Sequence, residues 1–405
     1  MAQGLFFNSP MYGHVIPTFA VVQELVTRGE QITYYLTDEF AQSIRAAGAT
    51  FRRYESTMKN NRPLGRFSRY LAEECRYVIP QIIESVKSEK PDYIIYEANC
   101  LWGRILSHMF QIPIISCRAS LAVNNHFSHM PYLLDTNQRA PAASFQLISD
   151  TLNDFAPLVD LCATYHLPPP EQNMNSIFFH AEDLNIIFVS RMLQPAGDTF
   201  DERFIFVGPP IAPRKTFSDT LNDLPLPLSS SAVLYISLGT IYNLQPDFYK
   251  LCFQALGKLP WHVIIAVGQH VDYAELGPVP ENFLLRPSVS QLDILQYADI
   301  FITHGGLNSI MEALYYGVPM VIIPQMPEQA ISARRIEELG LGIVLDNKRL
   351  TTTVLQEAVY RLSHDSSFRA HMKPVQKEVQ ASGGAQRAAE AILRFVSQKR
   401  TMSEM

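Results

Sequence analysis

Ile300-Phe301-Ile302 is an uninterrupted apolar run that passes through Thr303-His304 into Gly305-Gly306, and Asn308-Ser309 then open a helical pattern that continues to Tyr316. A strand that becomes a helix within so few residues is the repeating unit of a parallel sheet wrapped by helices. The turn also has chemical meaning. With no Cβ atoms in the way, the free backbone N–H groups and the positive end of the helix dipole point at one spot, which suits a phosphate. His304 sits at the lip, Ser309 adds a hydroxyl, and Glu312 lies four residues after Asn308 on the same helix face, where a carboxylate accepts hydrogen bonds from ribose hydroxyls. A plainer reading, a tight glycine turn capped by Asn308, accounts for the same residues. The next segment of the chain weighs against it. Gly317 to Pro324 reads as a further strand, and it ends in Gln325-Met326-Pro327-Glu328-Gln329, a loop carrying an acid and an amide. Ligands in open α/β sheets bind outside the carboxyl ends of strands, and both loops lie at such ends.

The same alternation runs along the whole chain. Strands are expected at Gly4 to Asn8, Ile32 to Leu36, Thr50 to Tyr54, Tyr93 to Tyr96, Ile112 to Ser116 and Leu184 to Val189, with helices at Val15 to Arg28, Asp38 to Ala47 and Leu101 to Phe110. A polar, proline-bearing segment after Gly208-Pro209-Pro210 reads as a linker. The alternation then restarts with Ala232 to Ser237, Asp247 to Gly257, Trp261 to Val267, Asn282 to Leu285 and Gln291 to Tyr297. A chain of 405 residues exceeds one ordinary core. The expected division is a first α/β domain over 1–210, a linker over 211–231, a second over 232–383 and a terminal helix over 384–405.

Composition narrows the class. A net charge of −6 argues against a nucleic-acid partner. Five scattered cysteines without a Cys-x-x-Cys pair fit a reducing cytoplasm rather than a disulfide framework. No apolar stretch approaches the roughly 20 residues of a membrane span, and the amino terminus lacks the features of a signal peptide, so a cytoplasmic enzyme is expected. His126 and His129 form a metal pair only on paper, since no third ligand accompanies them.

Taken together, His304-Gly305-Gly306-x-Asn308-Ser309-x-x-Glu312, Pro324-Gln325, Glu328-Gln329 and the amino-terminal Gly13-His14-Val15-Ile16-Pro17-Thr18 resemble the signature of family 1 glycosyltransferases, nearest to the bacterial macrolide and natural-product group. The resemblance covers nearly the whole chain. It implies the GT-B fold, two Rossmann-like domains facing across a cleft, with the last helix crossing back onto the first. His14, which follows Gly13 after the first strand, has the side chain whose ordinary pKa lies nearest neutrality. Read alone it is better explained as a helix-start histidine bonded to backbone; the resemblance implies that it is the catalytic base. At the position where relatives carry an orienting Asp, this chain has Glu97, whose extra methylene shifts the carboxylate by about 1.5 Å.

The resemblance assigns the sugar-nucleotide site to Ser237, Thr240, Val289, Gln291, His304, Gly305, Gly306, Asn308, Ser309, Glu312, Glu328 and Gln329. Ser237 and Thr240 would donate to the diphosphate, Val289 would offer backbone groups to the base, and Glu328-Gln329 would hold the sugar hydroxyls, which favours glucose over a deoxysugar. Ser288 stands where relatives often stack an aromatic ring on uracil, so uridine over thymidine is a family expectation only. There is no Asp-x-Asp, and the helix dipole with His304 is expected to replace a metal ion. Phe67, Phe127, Met130 and Phe145, in aromatic- and Met-rich segments of the first domain, are candidates for an apolar acceptor pocket, although such residues equally fill cores. The expected activity is an inverting, metal-independent transfer of a hexose, glucose from UDP-glucose foremost, to a hydroxyl of a hydrophobic small molecule such as a macrolide or polyphenol. Two alternatives stay open: a UDP-sugar epimerase on the same fold, and a catalytically silent homologue that binds nucleotide or lipid. Acceptor identity and oligomeric state are not encoded in these patterns.

Overall fold

A computed structural model of the chain describes residues 2–58, 67–129, 156–167, 181–211, 232–241 and 243–403. These residues fall into two compact units, the first built from 2–129, 156–211 and 382–403, the second from 232–381. Met130, Phe145 and all but one residue of the expected linker lie outside the described residues.

The first unit carries seven parallel strands: β1 (Gln3–Phe7), β2 (Gln31–Leu36), β3 (Thr50–Arg53), β4 (Tyr93–Glu97), β5 (Ile114–Arg118), β6 (Asn185–Ile187) and β7 (Phe204–Phe206). Their order in the sheet is β3-β2-β1-β4-β5-β6-β7. Strands such as Leu5-Phe6-Phe7 and Tyr93-Ile94-Ile95 are apolar throughout because helices cover both faces of a parallel sheet. The order reverses between β1 and β4, so the loops that leave these two strands diverge and open a crevice at their carboxyl ends.

Several elements differ from the sequence pattern, among them the helices Ala156–Thr164 and Tyr273–Leu276, which it does not give. The first helix spans Tyr12–Thr27, so His14 sits in its first turn rather than in a loop. The helix starts early because Met11 is extended and the N–H groups of His14 and Val15 already return to its carbonyl. The helix Phe67–Glu89, the longest among the described residues, is not among the helices expected from the pattern. Pro80 argues against it, since proline in a helix interior removes a hydrogen bond. In the folded chain Pro80 is exposed, while Leu71, Cys75, Val78, Ile82 and Val86 form a buried stripe at helical spacing. The terminal helix Gly384–Ser403 packs against Tyr12–Thr27 within this unit.

The second unit repeats the plan with six parallel strands: β8 (Val233–Ser237), β9 (His262–Ala266), β10 (Phe283–Arg286), β11 (Ile300–Thr303), β12 (Met320–Ile322) and β13 (Gly342–Val344). Their order is β10-β9-β8-β11-β12-β13, and the reversal falls between β8 and β11. The chain is thus an α/β protein with two Rossmann-like parallel sheets. The glycine turn after Thr303 and the loop after Ser237, which carries Thr240, both leave strands at that reversal, while the segment 325–329 follows β12, the next strand out.

Candidate active site

Glu97 is the last residue of β4 and has no accessible surface. A carboxylate so placed needs partners, and it has them. Its Oε1 lies 2.7 Å from Nδ1 of His14, and its Oε2 accepts the backbone N–H of Asn99 at 2.9 Å. The extra methylene of Glu is therefore accommodated, and a solvated carboxylate at a strand end is ruled out. His14 keeps a quarter of its side chain exposed, so the ring bridges from the buried acid to the crevice. With Nδ1 facing a carboxylate, the proton belongs on Nδ1 and the lone pair on Nε2, which is the arrangement of an oriented base. Asn99 adds an amide 3.4 Å from the same ring nitrogen.

In the second unit, Gly305 adopts φ +85° and the helix begins at Leu307, with Gly306 as its cap residue. Asn308 therefore lies inside the first turn, and the capping explanation for it falls. The His304 ring is clasped by two glycines. A Cβ on Gly239, itself at φ +78°, would stand 2.6 Å from Cε1 of His304, and one on Gly306 would stand 2.5 Å from Nε2. Only bare backbone fits on either side of the ring. Burial drives the His304 pKa down to about 4, against the opposing effect of a hydrogen bond to the main chain of Ser237. The imidazole is thus neutral at pH 7. The single N–H of the neutral ring is spent on the main chain of Ser237, so the other ring nitrogen carries a lone pair.

Gln291 ties the helix Leu307–Tyr316 to β8. Its Nε2 donates to Glu312 Oε2 at 2.7 Å and to Ser309 Oγ at 3.2 Å, while Tyr235 Oη donates to its Oε1 at 3.4 Å. Glu312 is buried, with one oxygen engaged by Gln291; Ser309 accepts and so keeps its own proton to give. Ser237 is buried and accepts the N–H of Gly239 at 3.3 Å, Thr240 is exposed, and Val289 is half-buried.

One observation decides the family. The NDP-glycosyltransferase YjiC of Bacillus licheniformis is 37% identical to this chain over 96% of it and 97% of the relative. The chain belongs to the family 1 glycosyltransferases. It is a glycosyltransferase, which sets the epimerase aside. The family model described as erythromycin biosynthesis protein CIII-like, C-terminal domain, matches residues 250–394. An uncharacterized UDP-glucosyltransferase, YojK of Bacillus subtilis, is 33% identical, covering 98% of each chain. Demethyllactenocin mycarosyltransferase of Streptomyces fradiae is 31% identical over 97% of this chain and 86% of its own. Among solved structures, the calicheamicin glycosyltransferase CalG4 superposes with a TM-score of 0.81 at 32% identity, covering 98% of both chains, which identifies the fold as GT-B.

The remaining family positions fall less simply. Gln329 is buried, and its Oε1 accepts the N–H groups of Gln325 at 2.8 Å and Met326 at 3.1 Å. Its carbonyl therefore shapes the loop after β12, and the amide NH2 is the end left for a ligand; Glu328 beside it is exposed. Phe127 is buried against His129, with ring centroids 5.5 Å apart, so its ring is core. Phe67 opens the helix Phe67–Glu89, and its side chain lies outside the described residues. Sequence patterns do not reveal Asn99 or Tyr235. Asn99 carries a weak signal, a polar residue two places past a strand-ending acid.

No helix among the described residues is long and apolar enough to cross a membrane.

Proposed function

We propose that this glycosyltransferase moves a hexose, glucose from UDP-glucose, onto a hydroxyl of a hydrophobic natural product, with inversion and without a metal ion, in the cytoplasm. The observation that carries the reading is the 2.7 Å contact between His14 and buried Glu97 at the point where the first sheet reverses. Nε2 of His14 takes the acceptor's hydroxyl proton as the acceptor oxygen attacks the anomeric carbon. The bond from that carbon to the diphosphate oxygen breaks in the same displacement, so the configuration inverts. Glu97 stabilises the imidazolium that forms.

The leaving diphosphate is met by the first N–H groups of the helix Leu307–Tyr316, and its negative charge favours protonation of His304, whose second N–H then joins them. Fixed donors aimed at developing charge are worth about 3 kcal/mol each in other enzymes. Glu312, held by Gln291, presents its carboxylate to the ribose hydroxyls. The natural-product acceptor is supported by the names of relatives that act on demethyllactenocin and oleandomycin, and the UDP-glucose donor by the name of YojK. Because the chain keeps Glu97 within reach of His14, it retains the working pair whose loss would mark a silent homologue.

The test is mass spectrometry of purified protein with UDP-glucose and pooled macrolides and flavonoids, with chelator present. A product heavier by one hexose, and a β linkage by proton NMR from the α-linked donor, are expected. Activity that vanishes with chelator would contradict metal independence, and an α linkage would contradict inversion.

A further inference from the structure

Asn8 follows β1 directly and has no accessible surface. Its amide is fully accounted for. Oδ1 accepts the N–H of Ser9 at 2.9 Å, and Nδ2 donates to the carbonyl of His14 at 3.2 Å and to Oη of Tyr34 at 2.9 Å. The Ser9 bond fixes which end of the amide is oxygen. Tyr34 is buried in β2, stacked on Phe6 with ring centroids 4.6 Å apart, and its Oη lies 2.7 Å from Thr18 Oγ1. Thr18 in turn donates to the carbonyl of Val15 at 2.6 Å.

Each hydroxyl has one proton, so only one assignment satisfies all of these contacts. Asn8 donates to Tyr34, Tyr34 to Thr18, and Thr18 to Val15. Tyr54 holds the far end by donating to the carbonyl of Asn8 at 2.6 Å. The two carbonyls reached by this chain belong to His14 and the residue after it. Beside the N–H groups of His14 and Val15 that return to Met11, that turn has no side-chain cap from Met11, and Pro17 has no N–H to return to Gly13.

We propose that Asn8 and Tyr34 are positioning residues for the His14 imidazole, fixing the backbone from which the ring reaches Glu97. The proposal rests on the reading of His14 as the base. A buried network with every partner satisfied is rigid, and a base displaced by a fraction of an ångström loses rate rather than binding.

The test compares Tyr34→Phe with Tyr35→Phe. Tyr35 is the neighbouring residue of β2, also buried, and its Oη bonds Ser85 Oγ at 2.7 Å with no link to the helix Tyr12–Thr27. In Tyr34→Phe, kcat for hexose transfer is expected to fall about tenfold or more with UDP affinity unchanged, while Tyr35→Phe keeps its kcat. The His14 Nδ1 proton resonance should move in Tyr34→Phe alone. Thr18→Val breaks the last link and serves as the second variant if Tyr34→Phe does not fold. Equal kcat in the Tyr34 and Tyr35 variants, with an unmoved resonance, would overturn the proposal. His14→Ala measured alongside separates the two failures. If it transfers at the wild-type rate, the base assignment falls; if it is inactive while Tyr34→Phe matches Tyr35→Phe, only the positioning role falls.

Discussion

Nδ1 of His14 lies 2.7 Å from Oε1 of Glu97, although 83 residues separate them in sequence. The contact exists because β1 and β4 are neighbours in the sheet, and the chain leaves both strands at the same edge. Glu97→Gln keeps the shape and removes the charge that orients and stabilises the imidazolium. It should lower kcat by roughly 10²- to 10⁴-fold with UDP affinity intact. Glu97→Asp withdraws the carboxylate by about 1.5 Å and should lower kcat less, while restoring some of the rate lost in the Gln variant. Steady-state kinetics with calorimetric UDP titrations would check both.

Gly239 should tolerate no side chain. A Cβ there would stand 2.6 Å from His304, and the backbone is already at φ +78°. Gly239→Ala is expected to displace the His304 ring, weaken UDP binding about tenfold by disturbing the phosphate-side turn, and cost about 1–2 kcal/mol of stability from the left-handed backbone. Unfolding titrations and UDP affinity measure the two effects separately.

His304 makes stability depend on pH in a defined direction. Burial lowers its pKa from 6.5 to about 4, so the folded state favours the neutral ring. Its contribution is fully present above pH 6.5, shrinks as pH falls, and is lost below about 4. The amount is at most about 3 kcal/mol. His304→Gln, which cannot take the proton, should show a flatter fall in unfolding free energy between these limits. An unchanged slope would mean that the ring is not desolvated.

Gln329 holds the loop after β12 through two N–H groups. Gln329→Ala should loosen that loop and raise KM for UDP-glucose about tenfold, since two buried donors lose their acceptor. Gln329→Glu keeps an acceptor oxygen for both and should retain the loop, seen as a smaller change in melting temperature, while altering the end that faces a sugar.

Much of this architecture is legible in the sequence because parallel strands are apolar throughout and end in glycine or small polar residues. Phe6-Phe7, Ile94-Ile95 and Ile300-Phe301-Ile302 announce their strands, and Gly305-Gly306 announces its turn. The helix Phe67–Glu89 is obscured because Pro80 carries a strong local signal that tertiary packing overrides. The network behind His14 is illegible for a different reason. Asn8 and Tyr34 are 26 residues apart, and nothing in either residue's neighbourhood shows that they meet. Phe127 illustrates the limit of residue type alone, since an aromatic in an irregular segment reads the same whether it faces a ligand or the core.

The most direct test of His14 as the base is the rate of hexose transfer by His14→Ala, measured with UDP binding in the same preparation. Transfer to an ordinary alcohol should fall by at least about 10²-fold, with UDP affinity unchanged, because the base is lost and the leaving-group site is not. Transfer at the wild-type rate would contradict this assignment, and would mean that the His14–Glu97 pair does not carry the proton.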